Sequence, residues 1–107
     1  MKSLLPAILF ALVSTSANCA DTIVSLSLKD HKFTPAEIHV KANSPTTVIL
    51  TNNDDQTEEF DSTSLKVEKV VAGHSTGQMR WRPLAPGRYP FMGEFHSDTA
   101  QGVVIAE

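Results

Sequence analysis

Three short stretches of the chain gather the side chains that bind or react. They are Asp30-His31-Lys32-Phe33-Thr34-Pro35, Asp54-Asp55-Gln56-Thr57-Glu58-Glu59-Phe60-Asp61 and Met92-Gly93-Glu94-Phe95-His96. Imidazole, carboxylate and thioether are donors to metal ions, imidazole suiting copper, iron and zinc, and thioether suiting copper(I). Glu94 and His96 stand two apart, so an extended segment sends both to one side. Gly93 frees the backbone to turn just before them. With carboxylates from another loop, that pair makes half of a coordination sphere. Each group also has an ordinary role: acidic pairs are often solvated turns, His31 alone reads as a surface histidine, and Met92 suits a core as well as a metal.

Other side chains are set aside. His39 is out of phase with Ile38 and Val40 and faces solvent, His74 follows Gly73 in a turn, and Met79 and Trp81 share a core face. No nucleophile elbow surrounds a serine, and no glycine-rich phosphate loop is present. A glycosidase groove needs more chain than this. An enzymatic role is not expected.

The elements that must position these side chains read as strands. Val24-Ser25-Leu26-Ser27-Leu28 and Ile38-His39-Val40 alternate with period two, and residues 46–51 are β-branched and apolar. Residues 67–71, 78–82, 88–92 and 103–106 supply further strands. Asn52-Asn53-Asp54-Asp55, Gly73 and Ala85-Pro86-Gly87 mark turns. No window carries a helical stripe. Short strands at this spacing predict an all-β fold, an antiparallel sandwich or Greek-key barrel, whose loops cluster at its poles. The three reactive stretches lie at strand ends and are expected to converge there.

The first twenty residues differ in kind. Lys2 precedes an apolar run from Leu4 to Val13, broken only by Pro6, and then the small and polar residues 14–20. This is a secretory signal pattern, too short to remain as a membrane anchor. Cleavage after Ala20 or Cys19 is expected, and Cys19 also raises a lipoprotein alternative. The chain thus divides into a signal peptide, 1–20, and one domain, 21–107. The 107 residues allow no more than one small domain. Twelve acidic against nine basic side chains give a net charge of −3, unlike a general nucleic-acid binder. Cys19 is the single cysteine, so the exported domain has no disulfide and no thiolate.

Tyr89-Pro90-Phe91-Met92-Gly93-Glu94-Phe95-His96, followed by Gly102-Val103-Val104, resembles the last ligand loop of cupredoxins. Phe33-Thr34-Pro35-Ala36-Glu37-Ile38 and Leu84-Ala85-Pro86-Gly87-Arg88-Tyr89 resemble that family too. Glu58 to Phe60, Glu68 to Val71, Gly93 to His96 and Thr99 to Gly102 are similar to the exported, EfeO-like cupredoxin-domain proteins associated with iron permease systems. The resemblance implies a cupredoxin-like Greek-key β-sandwich. It also puts Gly93 in the place of the blue-copper cysteine, keeps His96, and replaces the early histidine around Glu58-Glu59.

A metal site of His96, Glu94 and Glu59, joined by His31, Met92, Glu58 and Asp61, is therefore expected to hold a copper and/or iron ion. The implied role is a periplasmic accessory of iron or copper uptake, partnered by a membrane iron permease complex, with no nucleic-acid partner and no stable membrane insertion. Electron transfer through an atypical site, or a metal-free interaction module, are the alternatives. Export is checked by fractionating source cells and weighing the N-terminus. A chain beginning near residue 21 in the periplasm is the expected outcome, and intact Met1 in the cytoplasm would overturn it.

Overall fold

In a computed structural model that describes residues 22–107, inward and outward side chains alternate along nearly every strand. The strands are β1 (Thr22–Lys29), β2 (Lys32–Thr34), β3 (Glu37–Val40), β4 (Thr46–Asn52), β5 (Glu58–Ser62), β6 (Val67–Val71), β7 (Ser75–Trp81), β8 (Gly87–Gly93) and β9 (Gln101–Ala106). They form two sheets, in the orders β2-β1-β4-β7 and β3-β9-β8-β5-β6. Stacked face to face they make the all-β, Greek-key sandwich expected from the alternation. A single 3-10 turn, Glu94–His96, is the one helical piece among the described residues. None of their helices is long and apolar enough to cross a membrane. The proposed signal peptide, 1–20, lies outside the described residues.

The sheets are mixed rather than antiparallel. β1 runs parallel to β4, and β3 runs parallel to β9. The cause is the crossover at Thr34-Pro35, where the chain leaves the first sheet after the β1–β2 hairpin, adds β3 to the second, and returns as β4. A strand that comes back through the opposite sheet need not reverse direction as a hairpin strand must.

The core is built from what each strand sends inward. Leu26 and Leu28 from β1, Val48 and Leu50 from β4, and Val104 and Ala106 from β9 are all buried. Four aromatic rings bridge the sheets. Phe60 on β5 stacks on Phe91 of β8 at 4.9 Å and on Trp81 of β7 at 6.0 Å. Phe33 of β2 meets both phenylalanines edge-on. Offset and edge-on pairs of this kind add about 0.5–1.5 kcal/mol each beyond their buried area. Met79 and Trp81 are core residues, as their shared strand face predicted.

Side-chain hydrogen bonds hold the site-bearing pole. Asn52, fully buried, donates from Nδ2 to the carbonyls of Gln56 and Val71 and accepts from the Asp54 N–H at 3.0 Å. It pins the β4–β5 connection to the end of β6. At the far end of the sandwich, His39 faces solvent as predicted, with Nδ1 2.6 Å from Glu107 Oε1 and Nε2 3.9 Å from Glu37.

The hydrogen bond to Glu107 is the main influence raising the His39 pKa above 6.5; desolvation opposes it, and the charges of both carboxylates add to it. A raised histidine pKa stabilises the fold fully below the unfolded value, and that contribution is lost as pH rises through the folded one. NMR titration of His39 is expected to give a midpoint above 6.5, lowered by Glu107→Gln. A wild-type midpoint at or below 6.5 would mean that the pair does not form.

Candidate metal centre

β5 enters the second sheet with Glu58 in the same phase as Phe60, so its carboxylate points inward and is 1% exposed. A buried charge is costly unless it is paired and hydrogen-bonded. Glu58 Oε1 accepts the backbone N–H of Phe95 at 2.8 Å and of Glu59 at 3.1 Å. Oε2 lies 2.5 Å from Nδ1 of His96.

Space for this carboxylate comes from Gly93. A Cβ at residue 93 would stand 2.7 Å from Glu58 Cδ and 2.8 Å from Ala100 Cβ. The chain then tightens into the 3-10 turn, with the Gly93 and Ala100 backbones bonded to one another's segment (Gly93 N–H to Ala100 O, Ala100 N–H to His96 O, both 2.8 Å). That turn carries His96 back over Glu58. Its other ring nitrogen, Nε2, lies 2.9 Å from Gln56 Oε1.

The third member comes from the opposite sheet. β1 and β2 are joined by Asp30-His31, and both residues have positive φ, 51° and 57°. A two-residue hairpin with both central residues left-handed matches the strand twist, but for histidine the conformation is uncommon. Asp54 offsets the cost: its carboxylate accepts the N–H of Asp30 at 2.7 Å and of His31 at 2.9 Å. Burial works to raise the Asp54 pKa. The two N–H bonds and the charges of His31 and Lys29 outweigh it and hold the carboxyl below its usual value. So held, the His31 ring stacks on His96 with centroids 3.6 Å apart and planes 10° apart.

His31, Glu58 and His96 each offer a donor atom within 4.8 Å of the others, the one such group of His, Cys, Asp and Glu among the described residues. Two imidazoles and one carboxylate, half-open to solvent through His31, fit a transition-metal ion of borderline hardness such as Cu(II), Zn(II) or iron. Oε1 of Glu58 is already spent on backbone N–H groups, which orients Oε2 toward the imidazoles as a carboxylate ligand needs. Bound there, an ion would supply Lewis acidity or a redox couple; the protein supplies the donors and their orientation.

Of the seven residues expected to form the site, the structure brings these three together and places the other four elsewhere. Glu59 and Asp61 alternate with Glu58 and Phe60, so they face outward on β5. Met92 is out of phase with Phe91 and is 39% exposed. Glu94 does not share a side with His96, because the segment is a 3-10 turn rather than extended. Its carboxyl hydrogen-bonds Asp61, and that bond, with the charges of Asp61, Glu59 and Glu68, raises its pKa. Sequence reasoning missed the two positioning residues, Gln56 and Asp54. The Asn-Asn-Asp-Asp turn signal marked the segment without saying whose N–H groups it would hold. His74, set aside above as a turn residue, pairs with Asp55.

The model of the family described as Cupredoxin-like domain matches residues 2–106. The chain belongs to the cupredoxin-like domain family. A relative, the uncharacterized protein RP394 of Rickettsia prowazekii (strain Madrid E), is 43% identical to this cupredoxin-like chain over 82 residues. The match covers 77% of this chain and 66% of that protein, so the chain spans about two thirds of the relative's length. Among solved structures, auracyanin A, a blue copper protein from Chloroflexus aurantiacus, superposes with a TM-score of 0.71 at 14% identity, covering 81% of this chain and 99% of that one. Amicyanin from Paracoccus versutus gives 0.61 at 18% identity, covering 82% and 83%. The metal-binding domain of the Streptococcus pneumoniae Cu(I)-exporting ATPase CopA, with Cu(I), gives 0.60 at 15%, covering 79% and 95%. At such identities the likeness is one of fold.

The packing of Glu58 against Gly93 makes a direct prediction. Gly93→Ala is expected to push the carboxylate off its N–H donors and to destabilise the cupredoxin-like domain by about 1–3 kcal/mol, the usual cost of overpacking. Urea denaturation of mature wild type and variant measures it. An unchanged midpoint would show that Glu58 does not fill the space beside residue 93.

Proposed function

We propose that this chain is an exported metal-binding protein that holds one ion between His31, Glu58 and His96, with copper(II) the first candidate and iron the second. The observation that carries the proposal is the buried Glu58 carboxylate, turned by two backbone N–H groups toward two stacked imidazoles. Such a donor set is unusual in a purely structural role, because an apolar core residue would avoid the desolvation cost. The fold supports copper, since proteins described as copper-binding share it. Export is supported by the signal pattern of residues 1–20.

The role of accessory to iron or copper uptake, beside a membrane permease, rests on the resemblance of the Glu58–Phe60, Glu68–Val71, Gly93–His96 and Thr99–Gly102 segments to permease-associated proteins. Delivery or buffering of an ion suits these ligands better than blue-copper electron transfer. The resemblance places Gly93 where that chemistry needs a cysteine thiolate, and residues 22–107 contain no cysteine. No catalytic role is proposed.

Calorimetric titration of mature protein with Cu(II) is expected to show one site. His96→Ala and Glu58→Gln should each weaken it tenfold or more, His31→Ala less, and His39→Ala, at the far end of the sandwich, should leave it unchanged. Binding should weaken on acidification, because protons compete for the imidazoles, and the loaded protein should lack an intense blue band. Unaltered affinity in His96→Ala, with circular dichroism showing an intact fold, would sink the assignment.

A further inference from the structure

Four of the side chains that do not reach the metal centre share one surface. The strand register sets Glu68, Asp61, Met92 and Gln101 side by side across β6, β5, β8 and β9, on the outer face of the five-stranded sheet. Glu59 and Val70 form the next cross-strand pair, and Glu94 stands beside Asp61 at the turn above. Val70 is 57% exposed and Met92 39%. The face therefore presents four carboxylates around two uncovered apolar side chains.

A groove opens beside this row. β5 and β8 pair only at Phe60–Gly93 and Asp61–Met92 and then part. Pro90 has no N–H to continue the ladder, and the hydroxyls of Ser62 and Ser64 reach its carbonyl instead. Between the diverging strands lies a largely apolar cavity of about 470 Å³, walled by Asp61, Ser62, Ser64, Pro90, Met92 and Gln101. A second hollow, lined by Asp61, Lys66, Val67 and Glu68, adjoins it.

We propose that this outer face is a docking surface for a basic protein segment, one that lays a Lys or Arg against Asp61, Glu68 and Glu94 and seats a neighbouring apolar side chain in the groove beside Met92. Like charges directly opposite on adjacent strands destabilise a sheet, and Asp61 faces Glu68 in that way. Folding alone gains nothing from the arrangement, whereas a cationic partner relieves it. Charge complementarity raises association rates and rejects wrong partners. The same charge repels a second copy of this face, nucleic acid and anionic lipid. Apolar area in a groove rimmed by polar groups is the form such surfaces take. The proposal stands whether or not the His31-Glu58-His96 centre binds an ion, and Glu94 lies two residues before His96, so a docked partner would sit beside that centre.

The test uses isotope-labelled mature protein, without metal and with one equivalent of diamagnetic Zn(II), titrated with a Lys-Leu-Lys-Leu-Lys-Leu peptide. Amide shifts are expected at Asp61, Glu68, Met92 and Gln101 in both states, with affinity falling as salt rises. Asp61→Asn/Glu68→Gln should weaken binding at least fivefold. Asp30→Asn/Asp55→Asn, an equal change of charge in a hollow that shares no residue with this groove, should weaken it less than twofold. Met92→Ser/Val70→Ser should weaken the Lys-Leu peptide and leave a Lys-Gly peptide of the same charge unaffected. Shifts scattered over other acidic residues, equal losses in the two charge variants, or equal binding of a Glu-Leu peptide would overturn the proposal.

Discussion

A carboxylate placed in the core phase of a strand constrains everything around it. Glu58 is two residues ahead of Phe60, the ring that links both sheets, and it cannot turn outward without taking Phe60 with it. Once inside it needs donors and room. The 3-10 turn supplies a backbone N–H and an imidazole, and residue 93 supplies the room by having no side chain. The turn is in turn held by the Ala100 hydrogen bonds that close it. The last loop of the sandwich is thus shaped around one charged group on a neighbouring strand.

Much of this was legible in the sequence, and the failures have identifiable physical causes. Alternation located the strands, because each has one wet face and one dry face, and it assigned Met79, Trp81 and His39 correctly. The same alternation, carried back from Phe60, distinguishes inward Glu58 from outward Glu59 and Asp61, and carried forward from Phe91 it turns Met92 outward. Two features resisted. A 3-10 turn of three residues has too short a period to declare itself, so Glu94 was read as extended alongside His96. The left-handed His31 is stabilised by Asp54, twenty-three positions away, and no local pattern encodes that bond.

The strand period also sorts the acidic side chains by task. Glu58, inward, loses its water and gains fixed donors, the setting in which a carboxylate becomes an oriented ligand. Glu59, Asp61 and Glu68, outward, keep their water and act together as a field rather than as ligands. A one-residue shift in phase separates the two behaviours.

The centre joins segments that are remote along the chain: His31 comes from a hairpin of the four-stranded sheet, Glu58 and His96 from the five-stranded one. An ion shared by all three would tie the two layers together at one pole, where residues 22–107 have no cysteine to do so covalently. Ligand that binds only the folded chain adds stability in proportion to the logarithm of its concentration, about 2.7 kcal/mol at a hundredfold excess over the dissociation constant. The resistance of this domain to heat and proteases would then report the metal content of its compartment, and metal starvation would be felt first as a loosening of the sandwich at that end.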